Sequence, residues 1–224
     1  MSPAGNDDLQ CFCFSVNIIK GHSYDYDRYL ASSSLNSGEK AKNKIVFLDS
    51  PGPLFSSDYA YTGDKEHKTI DTWYPSLCKF FDHLELLFDA KVVIAAHYKS
   101  NFTSCSEVFG GREVYYGRTN ELIAESKLVI TEQSSAVSYA VIYEKPILFI
   151  YSDELKDDHR IMRFSNNISK ILGQPHININ QLDSIPHKLP GIDENLYHNY
   201  KDSFLTSDPD SLTNARKIEA EILN

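Results

Sequence analysis

Four short apolar runs constrain the fold more than any other feature of the chain. They occupy residues 45–48 (IVFL), 92–96 (VVIAA), 128–130 (LVI) and 147–150 (ILFI). None alternates apolar with polar side chains. A strand with one wet face alternates, whereas a strand buried on both faces does not, as in parallel sheets covered by helices. Between the runs the period changes. In residues 70–89, Trp73, Leu77, Phe80, Phe81, Leu84, Leu87 and Phe88 recur at helical spacing. Shorter strands are expected at 113–116 (EVYY) and 176–179 (HINI). Helices are expected over 119–126 with Thr119 as cap, over 134–143, over 154–172 stopping at Gly173, and over 209–223. For the last, Ser207 or Asp208 is the expected cap, with Pro209 in the first turn. This alternation predicts an α/β fold: a doubly wound, Rossmann-like parallel sheet of about five or six strands with helices on both faces.

With 224 residues, 42% of them hydrophobic, the chain suits one large α/β domain plus an arm. Residues 1–43 are polar, Ser-rich and poorly periodic, so they are assigned to an N-terminal arm or linker, and residues 44–224 to the domain. The net charge of −9 argues against a general nucleic-acid binder, because phosphate backbones need a basic face. The four cysteines (Cys11, Cys13, Cys78 and Cys105) form no C-x-x-C pair, and ordinary reduced thiols fit a cytoplasmic protein. No run reaches the ~18 apolar residues of a membrane span. The start of the chain lacks the basic and apolar regions of a secretory signal.

In an open parallel sheet, ligands bind beyond the C-terminal ends of the strands. The residues just after each run are Asp49, Ser50 and Pro51; His97, Tyr98 and Lys99; Gly117, Arg118 and Thr119; Glu132, Gln133, Ser134 and Ser135; and Tyr151, Ser152, Asp153 and Glu154. The opposite ends offer mainly Lys44, Lys91, Lys127 and Lys145, plain solvated charges. A helix beginning near Ser134 would aim unpaired N–H groups at the strand ends, and two small hydroxyls would add donors and leave room for an anion. The alternative is that Ser134 is only an N-cap, worth roughly 1 kcal/mol. His97 suits contact with a phosphate or a base, or a general-acid role; equally it suits a strand cap. Arg118 and Arg112 are each a phosphate clamp or a surface charge. Asp49 is a base, a hydroxyl ligand, or a loop acid before Pro51. No G-x-G-x-x-G follows the first strand, and neither a Walker lysine motif nor a G-x-S-x-G elbow occurs. No histidine spacing supports a metal at His97.

The segment YYGRTNELIAESKLVITEQSSAVSYAVIYEKPILFIYSDEL resembles the nucleotide-sugar-binding, C-terminal half of GT-B glycosyltransferases. The bacterial enzymes of capsule and O-antigen polysaccharide synthesis, CMP-sugar transferases and CDP-glycerol glycerophosphotransferases have a similar run. Upstream, KIVFLDSPGPLFSSDY, WYPSLCKFFDHLE and KVVIAAHYKS resemble the matching parts, and HSYDYDRYL resembles the linker between the halves. The resemblance spans residues 24–155. It implies one half of a GT-B fold, a metal-independent transferase with no cofactor, and a nucleotide-sugar donor, CMP-linked in the relatives that carry His-Pro where this chain has His97-Tyr98. It implies donor contacts from Ser134, Ser135, Gln133, Arg118 and Thr119, and from Tyr151, Ser152 and Glu154 near the nucleoside or sugar. His97 and Asp49 are the implied catalytic residues. The acceptor would be a glycan or lipid-linked. A second Rossmann domain, in a partner chain or a longer product, would complete the enzyme, in the cytoplasm or peripheral to the inner membrane. Two other functions are consistent with the same residues: a non-catalytic nucleotide-binding or interaction module, and a sugar-nucleotide epimerase or hydrolase using Asp49, Glu132 and Glu154.

Overall fold

The computed structural model describes residues 19–32, 43–55, 63, 65–103, 106–206 and 212–223. Six strands form one sheet in the order β3-β2-β1-β4-β5-β6. They are β1 (Lys44–Leu48), β2 (Lys91–Ala96), β3 (Val114–Tyr116), β4 (Leu128–Thr131), β5 (Ile147–Tyr151) and β6 (His176–Asn178). Every pairing is parallel, with Val46 opposite Val93 on one side and Val129 on the other. The chain steps outward from β1 to β3, then returns to β4 on the other side of β1. Crossovers therefore diverge between β1 and β4, which opens a crevice at their C-terminal ends.

Side chains of successive strand residues enter two separate cores, as non-alternating apolar runs require. Ile45 and Phe47 pack under α2 (Ile70–Phe88), with Leu77, Phe80, Phe81 and Leu84. Val46 and Leu48 face the opposite layer, built from α1 (Tyr24–Ser32), α3 (Thr119–Glu125), α4 (Val137–Ile142) and α6 (Glu194–Tyr200). The α2 stripe is fully buried at Leu77, Phe80, Phe81 and Leu84, and each such side chain contributes roughly 2 kcal/mol. Asp89 closes α2 in the left-handed region at φ 45°, which turns the chain straight into β2.

Helix starts depart from the sequence expectations. Thr119 is the first residue of α3 rather than its cap; Arg118 holds the cap position and makes no side-chain capping bond. α4 begins at Val137 instead of 134, because Ser134 to Ala136 form a tight turn first. α5 (His159–Ile171) follows a 3-10 turn at Asp153–Leu155 and is capped by Asp158, whose Oδ1 accepts from Arg160 N at 3.1 Å and Ile161 N at 3.0 Å. Its end matches the sequence reading: Gly173 sits at φ 63°, where a side chain would be strained. α6 runs on into a π-helical turn at Lys201–Leu205, which no pattern announced. α7 spans Asn214–Ile222; the cap and first-turn residues expected for it (Ser207, Asp208, Pro209) lie outside the described residues, as do Cys11, Cys13 and Cys105.

Residues 24–32, assigned on sequence to the arm, form α1 and pack against α4 through Tyr26 and Tyr29. A polar clasp holds this segment to the C-terminal one. His22 Nε2 donates to Leu212 O at 3.0 Å, so Nδ1 accepts from the Thr206 hydroxyl at 2.7 Å. Asn214 brackets the His22 backbone, its Oδ1 accepting from His22 N at 2.7 Å and its Nδ2 donating to His22 O at 3.1 Å. Among the described residues, no helix is long and apolar enough to cross a membrane.

Candidate functional site

Two contiguous cavities lie at the C-terminal ends of β1, β2 and β4, where the strand order reverses. The larger measures 810 Å³ and the smaller 280 Å³. The larger falls within the usual range of small-molecule sites. Asp49, His97, Tyr98, Ser134 and Ser135 line both. Three strand ends that are far apart in sequence thus converge, because β2, β1 and β4 are immediate neighbours.

The two cavities differ in charge. Among the described residues, the larger carries the carboxylates of Asp25, Asp49 and Glu121 against Arg28 as its one lysine or arginine. The smaller carries Lys99 and Arg160 with Asp49 as its one carboxylate among the described residues, and adds Gln133 and Ser50. An anion is favoured in the smaller cavity, and hydroxyl-rich groups, which donate to carboxylates, in the larger. Ser50 Oγ is buried with no hydrogen-bond partner among the described residues, a hydroxyl available to a ligand.

The serine turn gives its donors differently from the helix N-terminus expected on sequence. Ser134 N donates to Thr131 Oγ1 at 3.1 Å, Ala136 N to Ser134 Oγ at 3.3 Å, Val137 N to Ser134 O at 3.2 Å and Ser138 N to Ser135 O at 3.1 Å. Of the N–H groups from 134 to 138, only that of Ser135 has no acceptor among the described residues. α4 has six residues, so a long dipole is not the source of anion affinity here. What remains is the Ser135 N–H and two hydroxyls. Ser134 Oγ accepts from Ala136, which leaves its own proton to donate outward.

His97 is held from both sides. Its N–H donates to Asp49 Oδ2 at 3.2 Å, and its Nδ1 accepts from Lys99 N at 3.2 Å. A backbone N–H can only donate, so the neutral ring carries its proton on Nε2. Ser100 Oγ donates to the same Asp49 Oδ2 at 2.8 Å. Burial pushes the Asp49 carboxyl up to about 6, against the pull of Ser100, the His97 N–H and Lys68 and with the push of Glu132. Glu132, two residues before Ser134, is sealed in an ion pair with Lys68 at 3.0 Å. Lys68 also lies 4.9 Å from the Trp73 ring centroid. Asp25, on α1, is pushed up by burial while hydrogen bonds from Ser138 and Tyr139 draw it down.

The remaining sequence candidates divide. Thr119 and Gln133 line the cavities. Arg118 is exposed, 5.4 Å from the Tyr115 ring, and lines neither. Arg112 is structural: its guanidinium pairs with Asp82 at 2.5 Å and Glu85 at 2.7 Å, tying the approach to β3 onto α2. Tyr151, Ser152 and Glu154 are not brought to the cleft. After β5 the chain turns toward α2, so Ser152 and Glu154 line a separate 360 Å³ hollow, where Glu154 accepts from the hydroxyls of Thr69 and Thr72. Tyr151 packs on His176 at 4.7 Å.

Sequence reasoning missed Tyr24, Asp25 and Arg28, which form the α1 wall, and Arg160 on α5. The signal for α1 was present in YDYDRYL, where Tyr26, Tyr29 and Leu30 share a helical face. Arg160 carried no signal, since it lies within a helix that joins the site only in three dimensions. Among the described residues, no three histidine, cysteine, aspartate or glutamate side chains converge as metal ligands.

No family model matches the chain, and no curated protein matches it. Among solved structures it is similar to a variant of the wall teichoic acid polymerase TagF, at 17% identity and a TM-score of 0.46, over 89% of this chain and 49% of that one. The chain thus spans about half the length of that protein.

Proposed function

We propose that the chain is the nucleotide-sugar-binding half of a glycosyltransferase of surface polysaccharide synthesis. The observation that carries this reading is the pair of cavities at the β1/β4 divergence, one acidic and roomy, one small and basic, joined by Ser134 and Ser135. Donor phosphates would occupy the basic cavity, within reach of the two hydroxyls, the Ser135 N–H, Lys99 and the Nε2–H of His97. The nucleoside or sugar hydroxyls would face Asp25 and Glu121. When the sugar–phosphate bond breaks, negative charge builds on the leaving phosphate. Fixed donors aimed at it lower the barrier without a metal. Asp49, poised near neutrality, suits a general base for an acceptor hydroxyl. The acceptor-binding half would come from a second Rossmann domain, in the same product or in a partner.

A thermal-shift screen against CMP, CDP, UDP, GDP and their sugars tests the site. A ligand at about one hundred times its dissociation constant adds about 2.7 kcal/mol to folding. One nucleotide is expected to raise the midpoint, and Ser134→Ala/Ser135→Ala to abolish the rise, while the unliganded protein loses only the Ala136 N–Ser134 Oγ bond, about 1 kcal/mol. A shift of equal size in parent and double variant would remove the serine turn from the site.

A further inference from the structure

A further cavity, of 700 Å³, runs along the outer face of α5 and is closed on one side by Phe204 of the π-helical turn. Its floor is a single helical stripe: Arg160, Arg163, Phe164, Ile168 and Ile171. At 1.5 Å per residue the stripe is about 16 Å long. The large apolar side chains are unusually open for their type, with Phe164 38%, Ile171 39% and Phe204 57% exposed. Such a patch marks a binding surface.

The character of the stripe is graded. Both arginines stand at the end of α5 nearest the strand termini, one helical turn apart and beside His159, and the far end is mainly hydrocarbon, with Asn167 as its one polar side chain among the described residues. Among the described residues, no carboxylate lines the groove, although the chain carries a net charge of −9. Arg160 also lines the small basic cavity. Arg160 thus borders both the groove and the candidate donor site.

We propose that this groove binds a single lipid phosphate, with the anionic head between Arg160 and Arg163 and the hydrocarbon chain along Phe164, Ile168, Ile171 and Phe204. An amphipathic helix from a partner protein would call for charges spread along the rim, and a bilayer for a convex rather than a grooved apolar face. A ligand charged at one end and apolar for the remainder fits the grading. As to role, the inference rests on the nucleotide-sugar reading: the lipid phosphate would bring the acceptor to the cleft from the α5 side.

Isothermal titration with farnesyl phosphate, below its micelle concentration, tests the groove on the full chain. One site per chain is expected, with farnesol and inorganic phosphate each binding at least about tenfold more weakly. Phe164→Ser and Phe204→Ser, both at exposed positions, are each expected to weaken binding about tenfold, as is Arg163→Gln. The proposal is overturned by no binding, by affinity untouched in these variants, or by association only with phosphatidylglycerol vesicles. The nucleotide shift, measured on the same proteins, keeps the two readings apart. Groove variants that lose farnesyl phosphate but keep the nucleotide shift support the groove. Farnesyl phosphate binding without any nucleotide shift sinks the donor site and leaves the groove standing.

Discussion

Lys68→Met is expected to destabilise the chain by about 3–5 kcal/mol at pH 7. Lys68 Nζ lies 3.1 and 3.0 Å from the two oxygens of Glu132, and the two side chains are 0% and 1% exposed. Burial already pushes the Glu132 carboxyl up, and Lys68 is the main force holding it down. Without the ammonium, the carboxylate is desolvated and uncompensated. It escapes that cost only by taking a proton. The folded-state pKa of Glu132 would then rise further above the unfolded value, so the penalty is full at high pH and fades as pH falls toward the ordinary glutamate range. Urea unfolding at pH 5 and pH 8 should therefore show parent and variant closer at the lower pH. Lys68→Met/Glu132→Leu removes both charges and is expected to recover most of the loss. Because Glu132 directly precedes Gln133 and the serine turn, the single variant should also weaken nucleotide binding and the double variant should restore it. A single variant within about 1 kcal/mol of the parent at pH 7 would show that water reaches the pair.

Asp49→Asn should act in the opposite direction and stabilise the chain by about 2–3 kcal/mol at pH 8. Asp49 is 5% exposed, and burial raises its carboxyl pKa from 3.8 to about 6. Between those values the folded state holds a proton that the unfolded state has released. Stability attributable to this group is thus highest below about pH 4 and falls as pH rises through the window, the whole cost being present above 6. An amide has no charge to desolvate. Both hydrogen bonds, from His97 N and Ser100 Oγ, land on the single oxygen Oδ2, so one amide oxygen can accept both. The gain should disappear at pH 4, and a gain that is constant with pH would assign it to packing instead. A residue whose charge weakens the fold in the middle of a cavity has the signature of one kept for chemistry. If Asp49 is the base, the stabler variant binds nucleotide yet loses transfer in any assembly that carries the second domain.

The class of fold was legible in the sequence because burial on both faces leaves no polar alternation, and only a helix-covered parallel sheet needs such strands. β1, β2, β4 and β5 were legible for that reason, and Gly173 marked the end of α5 because a left-handed residue is needed there. Strand ends also named most of the cleft, since a parallel sheet binds ligands where its strands stop. Asp49, His97, Ser134 and Ser135 follow from that rule.

Other features depended on distance in space, which local pattern does not record. The order β3-β2-β1-β4-β5-β6 decides that the ends of β1, β2 and β4 meet, while the chain after β5 departs to the α2 side with Ser152 and Glu154. Lys68 is a loop lysine in the sequence and a sealed counter-ion in the structure, because its partner comes from 64 residues away. Arg112 reads as a clamp until Asp82 and Glu85 are placed beside it. α1 reads as linker because its buried face is narrow and is completed only by α4 and the His22 clasp. Sequence by itself determined what each segment must bury; tertiary structure decided which polar groups were left facing one another, since electrostatic and hydrogen-bond partners are chosen by position and not by period.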